Sequence, residues 1–387
     1  MYRILTLNNI SKKGLSQLPA ESYVCGNDIQ EADAILVRSQ KMQGMAIASS
    51  LKAVGRAGAG VNNIPVDEFS AKGIPVFNTP GANANAVKEL VLAGMLLAAR
   101  NIPGALQFVS KLDGDDKAMH EAVESGKKNF VGTELPGRTL GVIGLGAIGV
   151  KVANTAHALG MKVIGCDPKI TVASAWQLSS AVAQAKSIGD LVAQADFLTF
   201  HVPLLEGTRN MLGADLLKRA KDGIVILNFA REGVIDNDLI AAGLNSGKIG
   251  AYVCDFPGVK FKNHPKVIAL PHLGASTLEA EENCAVMVAQ QIRDFLENGN
   301  IVNSVNFPEA VLPRTDGYRI CIANANVPNM LGQISSAFGS HNLNILDMLN
   351  KSRGEIAYTV VDVNKPVPAE ALDKLRSIEG VLSVRAL

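Results

Sequence analysis

Four polar side chains stand directly after apolar, strand-like stretches in the second half of the chain. They are His201 after DFLTF, Arg231 after GIVILNFA, Asp255 after AYVC and His272 after VIALP. Because ligands of open parallel sheets bind beyond the carboxyl ends of the strands, these side chains are expected to meet at one rim. Hydride transfer from a hydroxylated substrate needs a cation that holds the substrate and a group that moves the hydroxyl proton. Arg231 suits the first role, and either histidine suits the second.

A glycine-rich turn in TLGVIGLGAIG predicts a dinucleotide site. Gly144, Gly146 and Gly149 form a G-x-G-x-x-G between an apolar strand and a helix. The first glycine permits the tight turn, the second lets a pyrophosphate approach, and the third lets helix and strand pack closely. The next strand ends in Asp167, whose carboxylate would accept both ribose hydroxyls and repel a 2′-phosphate. NAD is therefore predicted over NADP, although Lys169 nearby weakens the preference.

The segments that carry these residues alternate strands with helices. Candidate strands are residues 139–144, 161–167, 196–202, 223–230, 251–256 and 267–271. Near-continuous apolar strands separated by helices predict a parallel sheet that is covered on both faces. Residues 2–80 alternate in a similar way, and a long apolar helix is expected over residues 85–101. Residues 106–133 are polar and irregular, which indicates a boundary or an extended arm.

The last 70 residues follow a different pattern, of strand, helix, strand, strand, helix and strand. This order is the ferredoxin-like motif, so a separate C-terminal module is expected after residue 316. It follows a linker that contains proline and asparagine, residues 300–317.

Composition narrows the range of partners. A chain of 387 residues should fold into two or three domains. The net charge is +1 and no basic run is present, so neither nucleic acid nor a membrane surface is expected as a partner. No stretch suits a signal peptide or a membrane span. The five cysteines are scattered without C-x-x-C spacing, which predicts reduced thiols of a cytoplasmic protein and no metal site.

Three segments, GTELPGRTLGVIGLGAIG, LNFAREGVID and PHLGAST, together resemble the D-isomer-specific 2-hydroxyacid dehydrogenases over about residues 30–310. The linker NSVNFP and the C-terminal module, which is similar to an ACT domain, fit the same resemblance. It implies an α/β fold with two Rossmann/flavodoxin-like doubly wound parallel-sheet domains plus a C-terminal ferredoxin-like ACT domain. The implied domains are a substrate domain (1–98 and 276–310), an NAD-binding domain (99–275) and a regulatory domain (316–387).

The resemblance also assigns roles in the active site. It implies that Arg231 binds the substrate carboxylate, that His272 is the acid/base in the interdomain cleft, and that Asp255 contacts the nicotinamide carboxamide. The implied cofactor contacts further include Ala147, Ile148, Phe229, Ala230, Gly274 and Ala275. Members of the family place a glutamate near the histidine, but the matching position here is Lys260. Glu232 is a candidate replacement.

Substrate and effector residues follow from the same resemblance. Arg38, Ser39 and Lys41 are candidate phosphate contacts, Ala59 and Gly60 are candidate carboxylate contacts, and Asn83 matches a position that faces the cleft. Asn324, Asn326 and Asn344 match residues that hold serine or another amino-acid effector between paired modules. Alternatively, these asparagines only cap turns. An exposed sheet edge invites self-pairing, so a homodimer or homotetramer is expected.

The implied activity is NAD-dependent oxidation of 3-phospho-D-glycerate to 3-phosphohydroxypyruvate, the first step of phosphorylated L-serine biosynthesis. A dehydrogenase of another D-2-hydroxy acid is one alternative. A non-catalytic protein that senses NADH is the other, and the missing glutamate leaves room for it.

Overall fold

The computed structural model describes residues 1–387, which form two compact units. The first consists of Met1–Asn83 and Leu278–Leu387, and the second of Ala84–Thr277. Together they contain two parallel sheets and one antiparallel sheet. The predicted α/β fold class is therefore confirmed.

The first unit is built on a five-stranded parallel sheet with the strand order β2-β1-β3-β4-β5, which is the flavodoxin-like order. Its strands are β1 (Tyr2–Leu7), β2 (Tyr23–Gly26), β3 (Ala34–Val37), β4 (Ala53–Arg56) and β5 (Val76–Phe77). The helices of this part are α1 (Lys12–Leu15), α2 (Val66–Ala71) and α11 (Leu278–Asn298). Every residue of β3 is buried, as expected for a strand that is covered on both faces.

The second unit contains a seven-stranded sheet with the order β12-β11-β10-β9-β6-β7-β8. The strands are β6 (Thr139–Ile143), β7 (Lys162–Cys166), β8 (Ala183–Gln184), β9 (Phe197–Phe200), β10 (Ile224–Asn228), β11 (Ile249–Cys254) and β12 (Val267–Ala269). The helices are α3 (Ala84–Ala99), α4 (Ile102–Val109), α5 (Asp116–Gly126), α6 (Ala147–Ala158), α7 (Val172–Gln177), α8 (Ile188–Gln194), α9 (Ala214–Arg219) and α10 (Asn237–Ser246). This is the Rossmann order with one additional strand.

Helix α3 belongs to the second unit. Its buried residues Val91 and Met95 share a core with Leu227, Phe229 and Val253 of the second sheet. The first segment of the first unit ends at Asn83, whereas the predicted domain boundary was residue 98, and α3 accounts for the difference. The division of function among three domains stays a prediction.

Residues 106–133 are largely helical, whereas the sequence suggested an irregular arm. They include the second half of α4, all of α5 and a 3₁₀ turn at Lys127–Phe130. Pro103 occupies the first turn of α4, where a missing N–H costs nothing, so its helix-breaking character does not apply. Asp115 caps α5 by accepting the N–H of Ala118. Helix α4 buries no residue, and this explains why the sequence shows no clear pattern.

The C-terminal module has the predicted ferredoxin-like topology. Its sheet order is β14-β15-β13-β16, and all its strand pairs are antiparallel. The elements are β13 (Tyr318–Ala325), α12 (Met330–Ser340), β14 (Ile345–Arg353), β15 (Ile356–Val363), α13 (Ala369–Arg376) and β16 (Val381–Ala386).

This module shares a hydrophobic core with the first parallel sheet. Cys321 and Tyr358 of the module belong to the same buried cluster as Leu36, Phe77 and Phe295. The Tyr358 hydroxyl also donates to the carbonyl oxygen of Gly299, just after α11, at 2.8 Å. The module is therefore packed into the first unit rather than tethered beside it.

No single helix is long and apolar enough to cross a membrane, although α3 and α4, bent by 66° at a short break, meet the length and composition criteria as a pair.

Candidate active site

The carboxyl ends of six strands of the second sheet are aligned in register. The row of paired residues reads Cys166, Ile143, Phe200, Asn228, Cys254 and Ala269. The residues that follow these positions include Asp167, Gly144, His201 and Asp255. Arg231 and His272 each come three residues after the aligned position. The structure thus brings the predicted rim residues to one edge of the sheet.

The glycine turn is tight at two positions and open at the third. Gly144 has a φ of 89°, and a Cβ there would lie 2.5 Å from the carbonyl oxygen of His201. A Cβ at Gly149 would lie 1.9 Å from the carbonyl oxygen of Gly144. In contrast, no atom lies within 4 Å of a Cβ placed at Gly146. Space is therefore left where the sequence predicts that a pyrophosphate approaches the backbone.

Helix α6 begins directly behind this open position. Gly146 is its N-cap, and no side chain caps the helix. The N–H groups of the first turn, which includes Ala147 and Ile148, have no acceptor within the helix. They combine with the positive end of the helix dipole to form a site that suits a phosphate group. The turn therefore fits a dinucleotide on the geometry of its own backbone.

Asp167 is held against the glycine turn. Its Oδ2 accepts the N–H of Leu145 and its Oδ1 accepts the N–H of Lys169, both at 2.8 Å. The carboxylate is half-buried at the end of β7. These two bonds fix its orientation, and each oxygen retains a lone pair for a further donor.

Asn228, the last residue of β10, shapes the turn that carries Arg231. The buried side chain accepts the N–H of Ala230 at 3.2 Å and donates to the carbonyl oxygen of Arg231 at 3.0 Å. Arg231 Nη1 in turn donates to the Ala230 carbonyl oxygen at 2.7 Å. This role was not predicted from the sequence, although the polar residue that ends the apolar run ILN is a usable signal.

Asp255 is a buried carboxylate with no hydrogen-bond partner. Only 2% of the residue is exposed, and neither carboxylate oxygen has a donor. Burial raises its pKa to about 6, although the positive charge of Arg231 acts in the opposite direction. A Cβ at Gly274 would lie 3.6 Å from Oδ2, in ordinary contact distance, so the following loop passes next to this carboxylate. An unpaired buried acid of this kind marks a candidate functional site.

His272 lies exposed in the loop after β12. Its ring packs on Phe256, with 4.4 Å between the ring centroids and 46° between the planes. The imidazole is thus accessible while one face of it is supported. Phe229 and Ala230 are buried near the end of the neighbouring strand β10, and Ala275 is half-buried in the loop.

His201 occupies a different environment. Its Nε2 lies 3.0 Å from Thr199 Oγ1, and its Nδ1 is buried without a partner. Burial lowers the pKa of His201 to about 3, so the ring is neutral at ordinary pH. Of the two histidines at the rim, His272 is therefore the one whose surroundings suit a proton carrier.

The position where the resemblance implies a glutamate provides no carboxylate. Lys260 lies in a 3₁₀ turn, Val259–Phe261, and forms an ion pair with Asp238 of α10. Glu232 directly follows Arg231 and is exposed.

The predicted phosphate contacts lie in an ordered loop of the first unit. Arg38 Nη2 forms an ion pair with Glu281 Oε1 of α11 at 2.6 Å. The N–H of Ser39 donates to Asn8 Oδ1 at 2.9 Å, and Lys41 is exposed. Asn8 thus holds the loop backbone. Arg38 is half-buried, whereas Lys41 is exposed.

The predicted carboxylate contacts lie in the loop after β4. Ala59 and Gly60 are half-buried, and Asn78 Nδ2 donates to the Ala59 carbonyl oxygen at 2.6 Å. Asn83 is half-buried and is the last residue of this segment of the first unit.

The three predicted effector residues do not lie together within one C-terminal module. Asn324 is buried near the end of β13 with Oδ1 unpartnered, and Asn326 Nδ2 donates to the Gly354 carbonyl oxygen at 3.0 Å. Asn344 lies at the opposite end of the sheet, where its N–H donates to Asn364 Oδ1 at 3.0 Å. Residues from one module thus cannot enclose one small ligand.

The sequence of this chain is similar to those of known proteins. A profile of the D-isomer specific 2-hydroxyacid dehydrogenase NAD binding domain matches residues 92–274. The D-3-phosphoglycerate dehydrogenase of Methanocaldococcus jannaschii is 38% identical over 349 residues, which cover 87% of this chain and 63% of that protein. This chain therefore spans less than two thirds of the length of that relative. The D-3-phosphoglycerate dehydrogenase of Haemophilus influenzae is 34% identical over 353 residues, which cover 88% of this chain and 82% of that protein.

A solved structure shows the same similarity. The crystal structure of cofactor (NAD⁺)-bound 3-phosphoglycerate dehydrogenase from Entamoeba histolytica matches with a TM-score of 0.60 at 25% identity. The match covers 79% of this chain and 98% of that one. The chain belongs to the D-isomer specific 2-hydroxyacid dehydrogenase family, and residues 92–274 match the NAD-binding domain of that family.

Proposed function

We propose that the protein oxidises 3-phospho-D-glycerate to 3-phosphohydroxypyruvate with NAD, the first step of the phosphorylated route to L-serine. One observation carries the proposal: Arg231, Asp255 and His272 follow aligned strand ends at the same sheet edge as the glycine turn. The similarity to two D-3-phosphoglycerate dehydrogenases supports the choice of substrate.

The glycine turn and the rim residues would hold the cofactor. Gly144, Gly146 and Gly149, with the N–H groups of Ala147 and Ile148, suit the pyrophosphate, and Asp167 suits the ribose hydroxyls. At the other end of the dinucleotide, the unpaired oxygens of Asp255 can accept a carboxamide N–H. Phe229, Ala230, Gly274 and Ala275 would complete this part of the site. Bound NAD supplies the hydride acceptor.

The residues of the chain handle the charge and the proton. Arg231 holds the substrate carboxylate through two hydrogen bonds of its guanidinium. His272 accepts the hydroxyl proton during oxidation and returns it during reduction. Glu232 is our candidate for the carboxylate that orients His272. The position where the resemblance implies a glutamate is occupied by Lys260, which pairs with Asp238. Arg38, Ser39 and Lys41 would bind the substrate phosphate, while Ala59, Gly60 and Asn83 would contact its carboxylate end.

The decisive experiment compares phosphorylated and unphosphorylated substrates. NADH consumption is followed with 3-phosphohydroxypyruvate and, in parallel, with hydroxypyruvate and 2-oxoglutarate. We expect the highest kcat/KM with the phosphorylated substrate. A preference of several hundredfold for an unphosphorylated acid would assign the protein to another D-2-hydroxy acid. Tight NADH binding without turnover of any substrate would instead support the sensor.

We further propose that two copies of the chain associate through α4 and the segment that follows it. Leu106, Val109 and Val131 are exposed, at 66%, 46% and 77% respectively, and α4 buries no residue of its own. Exposed apolar patches of this kind mark association surfaces. Light scattering should give a homodimer, or a homotetramer if the C-terminal modules also pair. Leu106→Asp should shift the mass towards the monomer, whereas Val172→Asp, at another exposed apolar position, should not.

Paired modules also give the effector residues a role. Strand β14 is an edge of its sheet, so pairing can bring Asn344 of one copy towards Asn324 and Asn326 of another. We propose that serine, or another small amino acid, binds there. Titration of activity with serine should then show inhibition that Asn344→Ala weakens. If no amino acid alters the activity of the dimer, the asparagines only cap turns.

We place the enzyme in the cytoplasm, because all five cysteines are free thiols, as is usual in a reducing compartment.

A further inference from the structure

A cavity of about 580 Å³ lies between the C-terminal module and the first parallel sheet, within the first unit. Its walls come from residues 47–52 and 72–74 on one side, and from Phe295, Cys321, Tyr358 and residues 382–385 on the other. This volume lies in the range of small-molecule sites. None of its lining residues belongs to the catalytic, cofactor or substrate residues described above, so the cavity is a separate feature.

The charges around this cavity are all positive. Lys52, Lys72 and Arg385 line it, and no aspartate or glutamate does. Lys52 forms an ion pair with Asp33, which lies outside the lining. Lys72 is exposed and forms no ion pair with an acidic residue. Two cations of the cavity wall are thus without a compensating carboxylate.

Arg385, on β16, is held in the cavity wall by its contacts with Phe295. Its guanidinium lies over the Phe295 ring, 4.0 Å from the centroid, and its Nη2 donates to the Phe295 carbonyl oxygen at 2.7 Å. The Nη1 of the same group is buried and has no acceptor. A buried donor without a partner is unfavourable, so an oxyanion that accepts its hydrogen bond would be favourable.

The remainder of the lining combines hydroxyl groups with an apolar surface. Ser49 and Ser383 offer hydroxyls, while Phe295, Tyr358 and Leu382 offer aromatic and aliphatic contacts. Ser383 Oγ also donates to the Gly73 carbonyl oxygen at 3.3 Å, which joins the two walls. A molecule with an oxyanion at one end and an apolar body at the other matches this surface.

We propose that this cavity binds a small organic oxyanion, a carboxylate or a phosphate, through Lys72 and Arg385. Such a ligand contacts the module and the parallel sheet at once, and it therefore stabilises their packing. The site does not depend on the proposed reaction, since it shares no residue with it.

The test uses the full chain, saturated with NADH so that the coenzyme site is occupied. Isothermal titration calorimetry is run with 4-methylvalerate as an organic carboxylate and with inorganic phosphate as a bare anion. We expect saturable binding of at least one probe, and the stronger of the two identifies the source of the oxyanion. Lys72→Glu should weaken this binding at least tenfold. Lys365→Glu, the same change at an exposed position of the module outside the cavity, should leave it intact.

Arg385→Met provides a second variant, which keeps an unbranched but shorter side chain and removes the charge. Should it unfold, Lys72→Glu still decides the matter, because Lys72 is exposed. The proposal is overturned if neither probe binds saturably. It is equally overturned if Lys72→Glu leaves the number and the affinity of the saturable sites unchanged, or if Lys365→Glu weakens binding by the same factor as Lys72→Glu.

Discussion

Arg319 and Asp362 form a buried ion pair with two parallel hydrogen bonds. Arg319 Nε donates to Oδ1 at 2.7 Å and Nη2 donates to Oδ2 at 2.8 Å, and both side chains are at most 1% exposed. The three remaining N–H groups of the guanidinium donate to the carbonyl oxygens of Asn298, Leu312 and Pro313. Every donor of Arg319 is therefore satisfied, and the pair joins the module to the end of α11 and to the linker.

Asp362→Asn should destabilise the protein by about 3–5 kcal/mol, because it leaves the Arg319 charge buried and uncompensated. Urea unfolding at pH 7 measures the loss. Asp373→Asn breaks an exposed pair with Arg376, and it should cost less than about 1 kcal/mol. Equal effects of the two substitutions would show that the buried pair contributes nothing special.

The same pair predicts a pH dependence. Burial by itself would raise the pKa of Asp362, but the hydrogen bonds from Arg319 and Thr315 lower it below 3.8 overall. Its contribution to stability is therefore complete above the unfolded pKa and lost as the pH falls through the folded pKa. The difference in unfolding free energy between the wild type and Asp362→Asn should shrink below pH 4. A difference that stays constant down to pH 2 would contradict this assignment.

His272→Asn should lower the rate by about 10²–10⁴, the loss that is typical when a general acid/base is removed. NADH affinity, measured by the fluorescence of the coenzyme, should stay nearly unchanged, because the ring is exposed and carries little of the fold. His264→Asn, in the neighbouring loop, is the matched control and should retain activity. An unchanged rate in His272→Asn would remove this residue from the mechanism.

Asp167→Ala should relax the discrimination against NADPH, because it removes the carboxylate that repels a 2′-phosphate. It also removes the bond to the Leu145 N–H, so a moderate loss of affinity for NADH is expected as well. The ratio of kcat/KM for the two coenzymes is the measurement that separates these effects. Asp190→Ala, on α8, controls for the loss of a negative charge. If the ratio stays the same in Asp167→Ala, the ribose role is wrong.

Asp255→Asn should make the coenzyme-free protein more stable at pH 8 than the wild type. The folded pKa of Asp255, about 6, lies above the ordinary 3.8, so its ionisation opposes folding. The cost is absent below pH 4, rises through pH 6 and amounts to about 3 kcal/mol at most. Thermal unfolding at pH 4 and pH 8 should therefore show a gap between the two proteins only at the higher pH. Saturation with NADH should narrow this gap, whereas a gap that is equal at both pH values would refute the idea.

Arg38→Gln should raise the KM for 3-phosphohydroxypyruvate about tenfold or more and leave the KM for hydroxypyruvate nearly unchanged. The reason is that only the phosphorylated substrate carries a phosphate group for this guanidinium, whereas both substrates carry the carboxylate. Lys12→Gln, an exposed change in the same unit, should alter neither value. A parallel rise for both substrates would indicate that Arg38 supports the loop instead, for example through its ion pair with Glu281.

Among the features of the site, the residues at the carboxyl ends of the strands of the second sheet were the most predictable from the sequence. Continuous apolar runs show where parallel strands lie, and the polar residues His201, Arg231 and Asp255 that end them are visible without any contact information. Strand β8 was missed because it is a two-residue edge strand and is exposed. Asn228 was missed because its role depends on which backbone groups the turn brings within reach.

The packing of the module was not predictable from local patterns. The sequences of β13 and β15 are apolar, and this pattern is the same for a face that packs on the module's own helices and for one that packs on the neighbouring sheet. The pattern therefore does not tell these two arrangements apart. Cys321 and Tyr358 share their buried cluster with Leu36 and Phe77, which lie more than 200 residues earlier in the chain. The effector asparagines belong together only by resemblance, because the register places Asn324 and Asn344 at opposite ends of one sheet.

The shared core of the module and the first sheet has a practical consequence. Cutting the chain in the linker would open this core, because Phe295 would lose the Arg385 guanidinium that lies over its ring and would be separated from the buried residues Cys321 and Tyr358. A truncated protein that precipitates or loses activity would thus report exposed apolar surface, and not the loss of a regulatory signal. Point substitutions that leave this contact intact are the informative way to ask what the module controls.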